Sequence, residues 1–587
     1  MPLAKLQFRP GINRESTSYA NEGGWFDCDK VRFHQGYPEK FGGWEKYSSS
    51  TYLGTARALH NWVALDGSNY MGVGTELKYY IEEGGAFNDI TPIRSTTAAG
   101  DVTFSATDGS TTITVSDTSH GADENDFVTF SGAVSLGGVI TADVLNQEYQ
   151  IVSIVDADSY TITSAVAANA SDTGNGGASV VGEYQINVGL NTQVGGTGWG
   201  AGTWSRGTWG SASATATDAE LRLWSHDNFG EDLLINPRDA AIYYWDKSST
   251  LSARAVEIGT VSGASNTPTI AKQVMVSDND RHVLAFGCNP LGSADQDNLL
   301  IRFSDQENLT DWTPTATNTA GDLRLGSGSE FIQAVETKRE ILVWTDRSLH
   351  SMQFVGPPFT FGITQLASSI TIMGPKAAVA AEDFVFWMGI DNFYVYDGRT
   401  ANLPCTVRDY VFEDFNSAQA EKVTAGINSQ WGEVIWFYPS STSDENDRYV
   451  VFNYIEKVWY YGNLSRTAWR DRGLRPLPMA AGASGGSSYL YNHEIGVDDD
   501  GSAMEAYIES SQIDIGDGDK FLLINRLIPD LTFTGSDNGT PVANFTLETR
   551  EYPGAAYDTT TNGAVTRSAT SPVEQFTNQL DMRLRGR

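Results

Sequence analysis

Short runs of β-branched and aromatic residues, each ending in a polar turn, recur along most of this chain. Tyr79-Tyr80-Ile81 precedes a Glu-Glu-Gly-Gly turn, and Phe393-Tyr394-Val395-Tyr396 precedes Asp397-Gly398. Ile242-Tyr243-Tyr244-Trp245 and Tyr489-Leu490-Tyr491 are followed by polar residues in the same way. Because an apolar run that ends in turn residues favours a hairpin, this pattern predicts a mainly β chain.

These strand-turn units recur at intervals of roughly 40–60 residues, which lies in the range of repeat architectures. The units lie near 52–92, 215–260, 270–312, 320–372, 374–412, 420–465 and 480–510. About four short strands in each unit are typical of a β-propeller blade. We therefore predict a β-propeller of about six blades over residues 51–94 and 214–505. One or two β-sandwiches are the alternative fold.

Residues 95–190 differ in charge from the rest of the chain. They contain no Lys or Arg but twelve Asp and Glu residues, and Thr, Ser, Val, Ile and Ala dominate. Alternation such as Thr111-Thr112-Ile113-Thr114-Val115 favours strands with one buried face. We predict a small acidic β-barrel or β-sandwich inserted between two blades, since insertion at an exposed turn costs little loop-closure entropy.

Three further segments complete the predicted domain organisation. Residues 1–50 carry many glycines with polar spacing and are predicted to be an extended arm. Residues 191–213 are a linker rich in Gly and Trp, whose Trp side chains pack either on a partner or on their own chain. The strand-like runs after residue 506 predict a C-terminal β-sandwich and tail over 506–587.

Composition narrows the classes of function. The chain has 39 Lys and Arg against 73 Asp and Glu, a net charge of −34, which argues against general binding to a phosphate backbone. Three distant cysteines cannot form a disulfide framework and favour a reducing compartment. We expect no signal peptide, because the N-terminus lacks an apolar core, and no membrane span.

Candidate catalytic and metal motifs are weak. Gly482-Ala483-Ser484-Gly485-Gly486 matches a nucleophile-elbow pattern, but a β-run rather than a helix follows it. His493-Glu494 lacks the second histidine of a zinc-protease helix. The acidic turns 498–501 and 514–519 could hold Ca²⁺ but lack the EF-hand spacing, so solvated turns are favoured. We predict no catalytic, cofactor-binding or metal residues and no cofactor.

Several segments resemble the tail nozzle proteins of short-tailed bacteriophages, also called tail tubular protein B, tail hub or packaged-DNA stabilisation proteins. The resemblance covers most of the chain outside 95–190. It rests on four groups of segments in this order: 8–13 with 25–33 and 42–44; 223–233; 302–308 with 311–314; and 356–359. The Arg-rich end, Arg583-Leu584-Arg585-Gly586-Arg587, is also similar to the ends of such proteins.

The resemblance implies a non-enzymatic structural protein of the virion, assembled in the cytoplasm of a bacterial host. Such proteins form a homo-hexameric nozzle ring below the portal and the adaptor, or head-to-tail connector, ring. The ring encloses a channel that retains the packaged genome and passes it during ejection, without sequence-specific DNA binding. Tail fibres or spikes attach nearby.

Two other functions remain open from the residues alone. A propeller-type polysaccharide hydrolase would use a pair of carboxylates, and an acidic β-protein offers many such pairs. A tail receptor-binding protein would stack sugars on its aromatic side chains, although the same residues also serve protein cores. Mass in solution distinguishes the three, because we expect a sixfold ring for the nozzle, a monomer for the hydrolase and a trimer for a fibre or spike.

Overall fold

The computed structural model describes residues 5–193, 220–514, 519–536, 540–552, 555–557, 563–570 and 579–586. The chain is mainly β, with a seven-bladed β-propeller arrangement of its sheets. Its contacts divide it into two compact units. One unit comprises residues 48–378 and 481–489, and the other comprises residues 1–47, 379–480 and 490–587.

Four strands form within the segment that is predicted to be an extended arm, 1–50. They are β1 (Trp25–Asp29), β2 (Val31–His34), β3 (Tyr37–Lys40) and β4 (Trp44–Lys46). Strands β2 and β3 are joined by Gln35 and Gly36, whose φ angles of 51° and 82° are left-handed, as a two-residue hairpin turn requires. Cys28, Phe33 and Trp44 are buried, so this segment contributes to a core.

The first four-stranded antiparallel sheet follows directly. Its strands, in order, are β5 (Ala56–Val63), β6 (Asn69–Thr75), β7 (Tyr79–Glu83) and β8 (Ala86–Asp89). Its buried residues share a core with the next four-stranded sheet, to which Trp224 and Trp245 belong.

An eight-stranded sheet lies between these two four-stranded sheets in the chain. It contains β9 (Ile93–Thr96), β10 (Thr103–Ala106), β11 (Thr112–Ser116), β12 (Phe127–Ser131), β13 (Glu148–Asp156), β14 (Ser159–Thr163), β15 (Asp172–Asn175) and β16 (Val181–Gln185), with helix α1 (Ala142–Leu145) before β13. The strand order is β15-β10-β11-β14-β13-β12-β16-β9. Alternating residues such as Ile113, Val115, Tyr160 and Ile162 face its own core. That 95–190 is a separate domain stays a prediction.

Five more four-stranded antiparallel sheets follow, each built from consecutive strands. The first two are β17 (Trp224–Phe229), β18 (Asp232–Pro237), β19 (Tyr243–Trp245) and β20 (Val256–Glu257), then β21 (Gln273–Val276), β22 (Val283–Phe286), β23 (Leu300–Phe303) and β24 (Gly321–Arg324). The next two are β25 (Phe331–Glu336), β26 (Ile341–Thr345), β27 (Ser348–Gly356) and β28 (Thr360–Ser368), then β29 (Ala378–Ala381), β30 (Phe384–Met388), β31 (Phe393–Tyr396) and β32 (Thr400–Asn402). The last is β33 (Thr424–Asn428), β34 (Glu433–Tyr438), β35 (Arg448–Asn453) and β36 (Val458–Asn463).

Short helices occur in the connections between these sheets. They are the 3₁₀ helices Ile258–Thr260 and Ser417–Lys422 and the α-helix α2 (Arg408–Glu413). The middle strands of the sheets are the most apolar: every residue of β26 and of β34 is buried. Sheets that pack on both faces leave no solvent face, so their middle strands lose the alternation of polar and apolar residues.

A six-stranded sheet, the seventh when the eight-stranded sheet is not counted, combines strands from both ends of the chain. Its order is β37-β38-β39-β4-β40-β41, with β37 (Ala468–Arg470), β38 (Met479–Ser484), β39 (Ser487–His493), β40 (Asp498–Asp499) and β41 (Ser502–Ala503). Strand β4 pairs antiparallel with β39, with Trp44 opposite His493 and Lys46 opposite Tyr491. The arrangement therefore has seven blades where about six were predicted. The last blade includes the strand-turn unit near 480–510, and the 1–50 segment adds strand β4 to it.

The C-terminal region forms smaller sheets. Strand β42 (Tyr507–Ser510) pairs with β1, β43 (Leu522–Leu527) pairs with β46 (Leu580–Gly586), and β44 (Val542–Glu548) pairs with β45 (Ala564–Thr570). Ala569, Leu580 and Met582 form its buried core. The predicted β-sandwich over 506–587 stays a prediction, and most of the predicted linker 191–213, with all three of its Trp residues, lies outside the described residues.

Candidate functional site

The Ser484 motif has the geometry of a hairpin. Strand β38 ends at Ser484, and Gly485 and Gly486 turn the chain with φ angles of 59° and 81° before β39 begins. A nucleophile elbow needs a helix after the serine. The local structure around Ser484 is therefore that of a tight turn between two strands.

The acidic turn 498–501 contacts strand β4. The indole Nε1 of Trp44 donates to Asp499 Oδ1 over 2.6 Å, and the Nζ of Lys46 lies 2.8 Å from Asp500 Oδ2. Within the described ranges there is no group of three or more His, Cys, Asp and Glu side chains that could hold a metal ion. Four residues of the other acidic turn, 514–519, lie outside the described part of the chain.

A buried cluster around Arg32 is the main charged feature of the unit formed by residues 1–47, 379–480 and 490–587. Arg32 lies on β2 with 1% of its side chain exposed, and its Nε donates to Glu433 Oε1 over 2.8 Å. Glu433 is the first residue of β34 and is fully buried. The two terminal nitrogens of Arg32 donate to both oxygens of Glu494, at 2.5 and 2.8 Å. One guanidinium thus holds two carboxylates.

Neutral donors complete this cluster. Tyr460 donates its hydroxyl to Glu433 Oε1 over 2.6 Å, and Trp431 donates its indole N–H to Glu494 Oε2 over 3.1 Å. The amide of Asn428 donates to both carboxylates, at 2.9 and 3.0 Å. A buried ion pair is tolerated only when its remaining oxygens are hydrogen-bonded, as they are in this cluster.

The charge of Arg32 is fixed by these neighbours. Burial alone lowers the pKa of Arg32, but the carboxylates of Glu433 and Glu494 outweigh burial and raise the pKa above its usual value. Arg32 also lies over the ring of Trp431, 4.5 Å from its centroid. Every carboxylate oxygen of this pair accepts a hydrogen bond from Arg32, so the cluster is suited to holding strand β2 in place.

Two glycines of the 42–44 segment allow this packing. A Cβ on Gly42 would lie 2.6 Å from Glu494 Oε2, and a Cβ on Gly43 would lie 2.5 Å from the backbone oxygen of Asp498. Neither distance is possible for a real side chain. The Gly-Gly pair therefore lets the backbone before β4 approach the 494–498 segment.

His493 is a buried acceptor in the same unit. Arg466 donates its Nε to His493 Nε2 over 2.9 Å. Burial and, secondarily, the charge of Arg466 lower the pKa of His493 well below its usual range, so the imidazole is neutral. Its ring lies 5.5 Å from that of Trp44.

Side-chain amides bond to the backbone of other strands in the unit of residues 48–378 and 481–489. Gln273 on β21 accepts the N–H of Ala334 and donates to its carbonyl, both over 2.9 Å. Gln333 on β25 makes the same pair of bonds to Ala378, both over 3.0 Å. Each amide thus satisfies a backbone donor and acceptor of the first strand of the next sheet, where no sheet partner would otherwise reach.

Several carboxylates lie near the ends of strands β21 and β25. Glu336, at the end of β25, accepts the backbone N–H of Asp278 over 3.0 Å. Burial, followed by the charges of Asp278, Asp227 and Asp280, raises the pKa of Glu336 to about 7. Several carboxylates therefore lie together at this end of the strands, and the Glu336 carboxyl, with a pKa of about 7, changes its charge near neutral pH.

A third charged cluster joins the eight-stranded sheet to the first four-stranded sheet. Lys78, 3% exposed, contacts Asp89 Oδ2 at 2.8 Å and Glu148 Oε1 at 2.5 Å. Arg254 contacts Asp89 Oδ1 at 2.6 Å and Glu148 Oε2 at 3.6 Å. The stretch 95–190 contains no Lys or Arg of its own, so cations from outside it balance Glu148.

Sequence reasoning did not find these clusters. The partners of Arg32 lie 401 and 462 positions away in the chain, and no short motif joins them. The local signals were an arginine inside a β-run at 31–34 and the Gly42-Gly43 pair.

No helix within the described residues is long and apolar enough to cross a membrane.

No family model and no curated protein matches this chain. Among solved structures, Hsv2 of Kluyveromyces marxianus is 7% identical, with a TM-score of 0.29, over 60% of this chain and 98% of that chain. The AfRom2 CNH domain is 12% identical, with a TM-score of 0.25, over 45% and 92%. The phage phi92 endosialidase is 11% identical, with a TM-score of 0.18, over 99% and 92%. These scores are too low for any of the likenesses to support a function.

Proposed function

We propose that this chain is a structural protein of a short-tailed phage, a subunit of the nozzle ring below the portal and adaptor. In this proposal six copies enclose the channel that retains the packaged genome and passes it during ejection. Tail fibres or spikes attach nearby. The resembling segments are the starting point, because 25–33 and 42–44 contain Arg32 and the glycines that pack around its cluster.

The observation that carries the proposal is that buried and partly buried cations hold pairs of carboxylates from distant parts of the chain. The pair Glu433 and Glu494 is held by Arg32, and the pair Asp89 and Glu148 is held by Lys78 and Arg254. In each case the carboxylates join segments that are far apart in the chain. Ion pairs between distant segments restrict the motion of those segments. A ring that retains a packaged genome needs such rigidity.

The net charge is consistent with a duct for DNA. A chain with a charge of −34 repels phosphate groups and lacks the multiple Lys contacts that would hold DNA in place. Asp278, Asp227 and Asp280 near Glu336 are one local concentration of this negative charge. The role requires passage of DNA past the protein rather than tight binding.

The test combines mass in solution with localisation. Purified chain, alone and mixed with the adaptor ring of its own phage, is measured by multi-angle light scattering, and the virion is imaged by electron cryomicroscopy. We expect a species of six copies, 6 × 63.7 kDa or about 382 kDa, at least with the adaptor, and density below the adaptor. A trimer at the fibre position, or a monomer that releases sugars from host polysaccharide, would overturn the proposal.

A further inference from the structure

The hairpin formed by β27 and β28 lies in an uncharged stretch of the chain. Residues 348–375 contain no Asp, Glu, Lys or Arg, although 19% of the whole chain is charged. Both strands have nine residues, and the turn between them contains Gly356, Pro357, Pro358 and Phe359.

The end of this hairpin is apolar and exposed. Phe359 is 76% exposed, Val355 is 57% exposed and Phe354 is 41% exposed. We call these three residues, with the turn between them, the apolar tip. Single exposed apolar residues are common, but a cluster at a hairpin end within an uncharged stretch marks an interaction site.

The apolar tip is held in one conformation. Phe354 packs against Phe361 and His282, with ring centroids 5.7 and 5.9 Å apart. The buried Thr360 donates its hydroxyl to the backbone oxygen of Thr319 over 3.0 Å. Little conformational entropy is therefore lost when the tip enters another medium.

The backbone of the turn exposes few hydrogen-bond donors. Pro357 and Pro358 have no N–H group. The N–H of Phe359 donates to Gly356 over 3.2 Å, and the N–H of Phe361 donates to Phe359 over 2.7 Å. A turn whose donors are removed or bonded internally can leave water at low cost.

We propose that the apolar tip inserts into the interfacial region of a lipid bilayer. The hairpin itself offers a protein partner no charged residue, since none lies in 348–375, and the nearby carboxylates Asp305 and Glu307 belong to the adjoining loop. A nucleic acid would need Lys or Arg, which are also absent from this stretch. Exposed aromatic and aliphatic side chains without charge, on a turn with its donors satisfied, match the acyl-headgroup boundary.

Neighbouring carboxylates set the lipid preference. Asp305 accepts hydrogen bonds from the N–H and hydroxyl of Thr319, at 2.8 and 2.7 Å, and Thr319 in turn holds Thr360. Glu307 is exposed in the adjoining loop. Arg281 lies 3.9 Å from Glu307 and offsets one of these two charges, so the loop still has one more carboxylate than cation and the tip favours zwitterionic over anionic lipid. This inference goes beyond the proposed nozzle function, because vesicle binding is measured separately from the formation of a ring.

The test is co-sedimentation of the full chain with phosphatidylcholine vesicles. We expect Phe359→Ser to lower the partition coefficient about tenfold or more, since the side chain would no longer enter the apolar layer. Phe359→Trp should keep binding. Leu65→Ser is the matched control, because Leu65 is 92% exposed but lies beside Asp66 and contacts Glu231. It should leave binding unchanged.

Three results would overturn the inference. The first is a wild-type chain that does not sediment with phosphatidylcholine vesicles. The second is an equal loss of binding in Phe359→Ser and Leu65→Ser. The third is a lower oligomeric mass of Phe359→Ser in the absence of vesicles that accounts for its loss of sedimentation, which would assign the tip to contact with a second copy.

Discussion

Arg32 and Glu433 are 401 positions apart in the chain, and the guanidinium Nε lies 2.8 Å from the carboxylate Oε1 in a site without solvent access. The pair joins the hairpin that begins at Val31 to the middle strand β34. Because β4 follows this hairpin directly, Arg32 also helps to position the N-terminal strand that enters the last sheet. The stability of this unit should therefore depend on one arginine.

Arg32→Met is expected to destabilise the protein by about 3–5 kcal/mol, because it leaves Glu433 and Glu494 buried and uncompensated. The shift is measured as a lower urea midpoint by tryptophan fluorescence. Adding Glu433→Gln and Glu494→Gln to Arg32→Met should recover part of the loss, since the unpaired charges are then gone.

The matched control for Arg32 is Arg324→Met. Arg324 makes an ion pair of the same length with Asp297, 2.8 Å, but 59% of the Arg324 side chain is exposed. We expect a change within about 1 kcal/mol, as for other exposed pairs. Equal shifts in the two variants would mean that burial of Arg32 does not matter.

Gln333→Leu should weaken the attachment of the Ala378 backbone to strand β25. It removes both bonds to Ala378 and leaves a backbone donor and acceptor unpaired, at a cost of about 1–3 kcal/mol. Hydrogen exchange at the Ala378 amide should become faster. Gln365→Leu, on the exposed outer strand β28, is the control and should leave that amide unchanged. Unchanged exchange in Gln333→Leu would contradict the role of the amide.

The fold class and the places of most sheets could be predicted, because strand-turn spacing is a local signal. The run Phe393–Tyr396 is strand β31, and Tyr489-Leu490-Tyr491 lies within β39. The place of β4 and the Arg32 cluster could not be predicted, because their partners are set by chain closure over more than 400 positions. A single sequence carries no periodic signal for such pairs.

Stability should fall as pH rises through the range set by Glu336. The pKa of this carboxyl is raised from 4.5 to about 7 by burial and neighbouring carboxylates. A raised acid pKa means that the folded state binds a proton that the unfolded state has lost. The contribution is therefore complete below about pH 4.5 and is lost as pH rises to about 7.

Glu336→Gln tests this dependence. The variant should be more stable than the wild type at pH 8, and the difference should vanish near pH 5, as read from thermal midpoints. Glu307→Gln, at an exposed loop position, should follow the wild-type pH profile. Parallel profiles for wild type and Glu336→Gln would show that this carboxyl does not titrate in the folded state near neutral pH.

Lys78→Met should loosen the eight-stranded sheet from the first four-stranded sheet. Asp89 and Glu148 would lose their shared ammonium, and since both carboxylates are partly exposed we expect a cost of about 2 kcal/mol. Trypsin cannot report on residues 95–190, which contain no Lys or Arg, so cleavage after Glu148 by a glutamate-specific protease is the measurement. Lys247→Met, which breaks the more exposed pair with Asp66, should leave that cleavage rate unchanged. Faster cleavage in both variants would mean that Lys78 has no special part in holding the sheet.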